Sequence, residues 1–436
     1  MTDRSPLAKI VSALLAPVLL VLGAVAMVGV HVPQHQGLSP SDEYVYIDYL
    51  AKVPGQGFVH RGEKTGQFAR HYLDCHGVEN AVAPNPQACA SGSTTPDSRY
   101  PFGGDSTADI YSPVYFAVSW ALAAPLRALG VDPVDSVRWL GAVWLALAGV
   151  LLYFAFVRIG APRILAFALG LAVIGSPSAF VGDTFVSTDA PTYAIAAALL
   201  FGLVSFDRRW APPVLIAVAA IGTLTKLQNF ASVAIAAFVL LAQAGRDAIG
   251  ERSWRRFVSD RGALTAVSML VAGIVVQAGW LIVRSLAAVG PVNSQGNSTP
   301  LTKSALVTEF FRFFGMGGNG PERLSGEIAV LVGAGLLMWL WIGGVIGTAA
   351  SAPTGSLPAW LAIGSFVVAV LMGPLLALAS LVFTGAYIPL TARYGMAMLP
   401  AALGCAAYLF SRKKWMTYTA SVAGVVVFAA GLAIAG

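Results

Sequence analysis

Two adjacent acids, Asp42 and Glu43, stand in Ser39-Pro-Ser-Asp-Glu-Tyr-Val-Tyr-Ile-Asp-Tyr-Leu50, just beyond the first hydrophobic run. Four more charged groups flank later apolar runs. Asp183 and Asp189 lie in Gly182-Asp-Thr-Phe-Val-Ser-Thr-Asp-Ala-Pro191, Lys226 in Leu224-Thr-Lys-Leu-Gln-Asn229, and Arg393 in Thr391-Ala-Arg-Tyr394. Charges beside hydrophobic spans are costly unless they are paired or face a wet cavity, so acids and cations converging at one membrane face would mark a site. There a carboxylate could accept a proton and the cations could hold an anion. The competing reading is structural: first-turn acids complement a helix dipole, and Lys226 and Arg393 snorkel to lipid headgroups.

The elements that would position these residues are membrane spans. The chain is 57% hydrophobic and only 11% charged, with mean hydropathy +0.72, which is far from a soluble domain. The net charge of +6 comes from basic residues gathered between apolar runs, a topological pattern that excludes nucleic acid as a partner. Leu7 to Val30 is long enough to span and offers no small-residue cleavage site before Pro33, so it reads as a permanent anchor.

Arg4 and Lys9 place the N-terminus in the cytoplasm, and residues from Val32 to about Asp109 then lie outside. The run Ile110 to Gly130 decides the rest. Counted as a span, it would put Arg158, Arg163, Arg208, Arg209 and the arginines of 246–261 outside, against the positive-inside rule. We therefore read it as an interfacial or re-entrant helix broken at Pro125. Spans follow at about 138–157, 163–180, 188–206, 212–225, 229–245, 263–284, 328–350, 358–383, 393–411 and 416–435. The expected fold is an all-α polytopic membrane protein of about eleven transmembrane helices, with a long first extracytoplasmic loop carrying juxtamembrane helices. It divides into a tail and first span (1–31), the loop (32–137) and the bundle (138–436).

The loop should open with a helix capped by Ser39 or Ser41, carrying the acids in its first turn. Tyr46, Ile47 and Leu50 form one stripe of it, so it should lie against lipid or other helices. The loop and the last residue of the first span hold all five histidines, and the loop holds Cys75 and Cys89. Outside the cell a Cys75–Cys89 disulfide is favoured, and a loop this short would contribute about 3 kcal/mol. His31 and His35 are spaced like a metal pair, but Pro33 breaks their helix and no compact ligand cluster remains, so metal binding there is set aside. In the outer loop 285–327, the Gly/Asn/Ser-rich part and Glu309-Phe-Phe-Arg-Phe-Phe314 read as a lid with a surface-seeking helix.

The order of motifs resembles the GT-C superfamily of integral-membrane glycosyltransferases. The matching stretches are Ser41-Asp42-Glu43, Ser112-Pro113-Val114-Tyr115-Phe116, Thr188-Asp189-Ala190-Pro191, Leu224-Thr225-Lys226, and Arg393-Tyr394 with Leu399-Pro400. The paired prolines of the family's second motif are reduced here to Pro113, and a large C-terminal soluble domain is lacking. The resemblance implies transfer of a sugar from an outer-leaflet polyprenyl-phosphate donor to a lipid or glycan hydroxyl, with inversion in a single displacement. It implies Asp42 as base with Glu43 second, Asp189 and Asp183 positioning the acceptor or a metal, Lys226 and Arg393 on the phosphate, and Tyr115 and Tyr394 beside the donor. A divalent metal is compatible but not required, and no other cofactor is implied. The base should then lie roughly 6–12 Å from the nearer cation, across the sugar phosphate. The address is the plasma membrane, with the active site extracytoplasmic. A lipid or solute transporter, or a scaffold binding lipid carriers, would share the polytopic plan, although no inverted repeat supports transport.

The topology is testable with cysteines introduced at Ser91 and Ser253. An impermeant maleimide should label intact cells at position 91 and not at 253. The reverse pattern overturns the map.

Overall fold

In the computed structural model, residues 6–92, 95–291, 299–316, 327–385, 387 and 389–434 are described. The chain is helical, and among the described residues β structure is limited to isolated bridges such as Leu38–Val78. Among the described residues, seven helices are long and apolar enough to cross a membrane: Leu14–Gln34, Pro133–Ile159, Leu227–Gly250, Arg261–Leu286, Ile328–Ser351, Leu357–Val382 and Lys414–Leu432. This is a multi-pass membrane protein, in which seven of the eleven expected spans meet that length and composition, or eight if one bent pair counts as a span. Arg163–Ile174 and Pro177–Asp183 form a pair bent by 55°, and Thr192–Val204 and Ala211–Thr225 are short apolar helices. Local chemistry explains the break: Pro177 cannot donate to the preceding turn, and Ser176 Oγ accepts from Ala179 N–H to start a new helix. Between Ile110 and Gly130 the chain forms only Val114–Leu122 and Ala124–Ala128, both too short to cross.

The bundle has two chemically distinct ends. At one, arginines tie neighbouring turns together through helix-end carbonyls: Arg158 to Val204 O at 2.7 Å, Arg261 to Arg208 O at 2.9 Å, Arg246 to Gly355 O at 2.8 Å and Arg412 to Ser351 O at 2.9 Å. Arg158 also pairs with Asp207. Cations suit the negative ends of helices, so these turns gather the basic residues that the sequence scatters.

At the opposite end the long loop folds into its own apolar cluster, with Tyr46, Ile47, Tyr49, Leu50 and Phe116 buried beside Val186 and Ala190. Tyr49 stacks on Phe116 with ring centroids 3.9 Å apart. The loop is fastened to the helices beneath it by Ser112 Oγ donating to Leu224 O (2.7 Å), Trp280 Nε1 donating to Ile110 O (3.0 Å) and Arg284 paired with Asp109 (2.6 Å). Burial pushes the Asp109 carboxyl above its usual range, against the pull of Arg284.

Several sequence expectations change here. The helix Glu43–Gln56 is buried at every residue from 43 to 50, so of the two expected settings it takes the one against other helices, and on more than one stripe. It passes through the middle of the loop cluster, with the Gln67–His76 and Val114–Leu122 helices packed on different faces. Neither Ser39 nor Ser41 caps it by a side chain: Asp42 is the N-cap residue, and its side chain makes no capping bond. In the 285–327 region, the helix Lys303–Phe311 packs on Leu357–Thr384 through its one buried residue, Glu309, and leaves Val307 and Phe311 exposed. Glu309 is fully buried, accepting from Tyr387 O–H at 2.6 Å. The Gly/Asn/Ser-rich part of the expected lid, residues 292–298, lies outside the described residues.

Cys75 and Cys89 are bonded, with Cα atoms 4.8 Å apart. His71 lies within ligand distance of both sulfurs, yet disulfide sulfurs are not thiolates and hold no metal there. The other histidines serve the fold. His31 Nε2 donates to Gly431 O at 3.0 Å, while His35 bridges Glu79 and Thr184. Peptide mapping without reductant should recover Cys75 and Cys89 in one linked pair, and Cys89→Ser should lower stability by about 3 kcal/mol for a loop of this length. Separately alkylated peptides would end the assignment.

Candidate functional site

Three helix junctions converge beneath the loop cluster, each carrying one or two of the candidate residues. Lys226 follows the last turn of Ala211–Thr225, where extended backbone (φ −159°, ψ 128°) breaks the helix. Asp189 sits in the segment between Pro177–Asp183 and Thr192–Val204. Arg393 and Tyr394 lie in the 3-10 turn Ala392–Met398 ahead of Leu399–Phe410. Helix junctions free backbone polar groups and bring side chains inward, which is why charge can be sheltered here.

Asp189 is the hub. Its Oδ1 accepts from Lys226 Nζ at 2.6 Å and Gln228 Nε2 at 2.7 Å, and its Oδ2 accepts from Ser187 Oγ at 3.4 Å. Arg393 Nε approaches the same Oδ2 at 3.4 Å, and Arg393 Nη2 lies 3.5 Å from Asp42 Oδ2. Burial alone would raise the Asp189 carboxyl, but Lys226 and Arg393 outweigh it and hold the group below the usual carboxylate range. Exposure is graded: the side chains of Asp189 and Lys226 are 1% and 2% exposed, Arg393 12% and Asp42 36%. The cluster therefore opens at Asp42.

Aromatic groups line it. Lys226 Nζ lies 4.9 Å from the Tyr394 ring centroid and 5.7 Å from that of Tyr111. Tyr46 O–H donates to Tyr111 O–H at 3.3 Å. Burial pushes both phenols well up, so they act as neutral hydrogen-bonding groups.

Asp42, Asp189, Lys226, Arg393 and Tyr394 thus come together, and three expected residues do not join them. Glu43 cannot serve as a second base, because its fully buried carboxylate is completely engaged. Oε1 accepts from Arg138 Nε (2.9 Å) and Val186 N–H (2.7 Å), and Oε2 from Arg138 Nη2 (2.9 Å) and Ser39 N–H (2.7 Å). Asp183 is fully buried away from the cations, and neither carboxylate oxygen has a hydrogen-bond partner among the described residues. Tyr115 is buried in the loop cluster, edge-on to Phe116 at 5.1 Å, and reaches the site only through the Ser187 backbone. The expected 6–12 Å between base and cation is not what the structure shows: Asp42 Oδ2 and Arg393 Nη2 are an ion pair at 3.5 Å.

Arg138, Gln228, Ser187, Tyr46 and Tyr111 were not read as site residues from the sequence. Gln228 was readable, two places beyond Lys226 in the same motif. Arg138 had a faint signal as a cation at the entry to an apolar run. A metal does not fit the hub as it stands, since both Asp189 oxygens already face cations and donors.

No family model matches the chain, and no curated protein matches it. Among solved structures, one match is the crystal structure of ArnT from Cupriavidus metallidurans bound to undecaprenyl phosphate. The identity is 16% and the TM-score 0.47, over 95% of this chain and 63% of that one. The chain thus spans less than two thirds of that protein's length.

The two adjacent acids should separate in stability measurements. Glu43→Gln or Arg138→Ala leaves a buried charge unpaired and should cost about 3–5 kcal/mol. Asp42→Asn should unfold close to the wild-type temperature in detergent. A Glu43→Gln protein as stable as wild type would refute the structural role.

Proposed function

We propose that the chain is a membrane glycosyltransferase of the GT-C type, which moves a sugar from a polyprenyl-phosphate donor to a lipid or glycan hydroxyl. The observation that carries this reading is the convergence of Asp42, Lys226 and Arg393, from three distant motifs, on one partly open charged cluster. An acid at the mouth with two sheltered cations behind it matches the demands of the reaction. The acceptor oxygen forms a bond to the anomeric carbon as the bond from that carbon to the phosphate oxygen breaks. The acceptor proton passes to a carboxylate, and the electron pair leaves with the phosphate.

In this reading Asp42 is the base, and Arg393 and Lys226 hold the leaving phosphate. Asp189 orients both cations, and Tyr394 walls the donor side. Displacement with the base and the leaving group on opposite faces of the sugar inverts the anomeric centre. The basic end of the bundle faces the cytoplasm of a plasma-membrane protein, and the site faces outward.

A panel of polyprenyl-phosphate sugars, read by mass spectrometry of the products, tests the activity. Asp42→Asn should lower turnover by about 100-fold or more while donor binding survives. Lys226→Ala and Arg393→Ala should weaken donor binding. Full turnover by Asp42→Asn would remove Asp42 from the chemistry.

A further inference from the structure

The four charged side chains cancel one another: Lys226 and Arg393 carry two positive charges, Asp42 and Asp189 two negative. The cancellation is uneven. Lys226 is tightly held by Asp189 at 2.6 Å, with Gln228 on the same oxygen. Arg393 is loosely held: it meets its two acids at 3.4 and 3.5 Å, and its buried Nε has no hydrogen-bond partner among the described residues. A guanidinium fork is strongest when two of its donors meet one planar or tetrahedral oxyanion at about 2.7–2.9 Å. Arg393 is therefore a buried cation whose hydrogen-bonding capacity is largely unused, beside the most exposed acid of the group.

We infer that Asp42 occupies the phosphate seat in the resting site, so that a lipid phosphate binds by displacing the Asp42 carboxylate from Arg393. This rests on the function proposed above and adds a regulatory device to it. While Asp42 is paired with Arg393, the base is held by the cation that should serve the leaving group. When a phosphodiester arrives, Arg393 turns its fork to the phosphate oxygens and Asp42 is released toward the acceptor hydroxyl. Lys226 stays anchored on Asp189. The charge balance is kept through the transfer, since the phosphate gains one negative charge as Asp42 gains one proton. The base is thus freed only with donor in place, which makes donor binding the first step.

The device predicts a gain, which an Asp42 with a purely structural role away from the phosphate does not. Removing the competing carboxylate should tighten phosphate binding even as turnover falls. The probes are farnesyl phosphate and farnesol, titrated into the detergent-solubilised full-length protein and read by native mass spectrometry. Asp42→Asn should bind farnesyl phosphate about tenfold more tightly than wild type, since a unit charge a few ångströms from the ligand is removed. Farnesol should bind both proteins equally. Asp42→Gly, which suits the same left-handed backbone, provides an independent second variant with the same expected gain. Equal or weaker phosphate binding in both variants, with the preference over farnesol intact, overturns the displacement and leaves the proposed function standing. No preference for phosphate over farnesol in any of the three proteins overturns both.

Discussion

The buried pair of Glu43 and Arg138 is the constraint on which the site depends. A bidentate ion pair out of water is tolerable only when the remaining lone pairs and protons are satisfied. Here they are: Ser39 and Val186 donate to Glu43, Gly37 O accepts from Arg138 at 2.7 Å, and Asp135 lies 3.2 Å from Nη1. Those partners belong to the strand-like entry to the first loop helix, the start of a long span and the segment leading to Asp189. One salt bridge therefore fixes three pieces of chain relative to each other. Asp42, next in sequence to Glu43, is held at the mouth of the cluster as a consequence.

Close helix packing supports the same region. Gly141 faces the Asp183 carbonyl oxygen so closely that any Cβ would clash. The start of the Gly141–Ile159 helix is thereby pressed against the bend at Pro177–Asp183, and Arg138 stands one turn earlier. Packing at the bend and the ion pair above it reinforce each other, which sets the direction from which Asp189 enters the cluster.

Hydropathy made the membrane class legible, and the positive-inside argument grouped Arg158, Arg208, Arg246 and Arg412, which do share one end of the bundle. Span number was less legible, because apolar composition alone cannot tell a full crossing from the short helix Thr192–Val204 or the bent pair at Ser176. The charged motifs pointed to Asp42, Asp189, Lys226 and Arg393 because isolated charges in apolar surroundings are conspicuous. The same reasoning could not separate Asp42 from Glu43. Their difference lies in Arg138, some ninety residues away, and long-range pairing leaves no local signal. The choice between lipid and other helices for the loop helix was not legible either, because its first eight residues are all buried and show no polar face to reveal their period.

Asp42 itself adopts φ 59°, ψ −11°, a left-handed conformation that few side chains accept. Aspartate, asparagine and glycine tolerate it, whereas other side chains incur roughly 1–2 kcal/mol. The backbone thus filters which residues selection can try at the mouth of the cluster. Glutamate would keep the charge but meet a strained main chain and a longer reach. Glycine would relax the turn and abolish the carboxylate. At this position a more relaxed turn and retention of the acid pull in opposite directions.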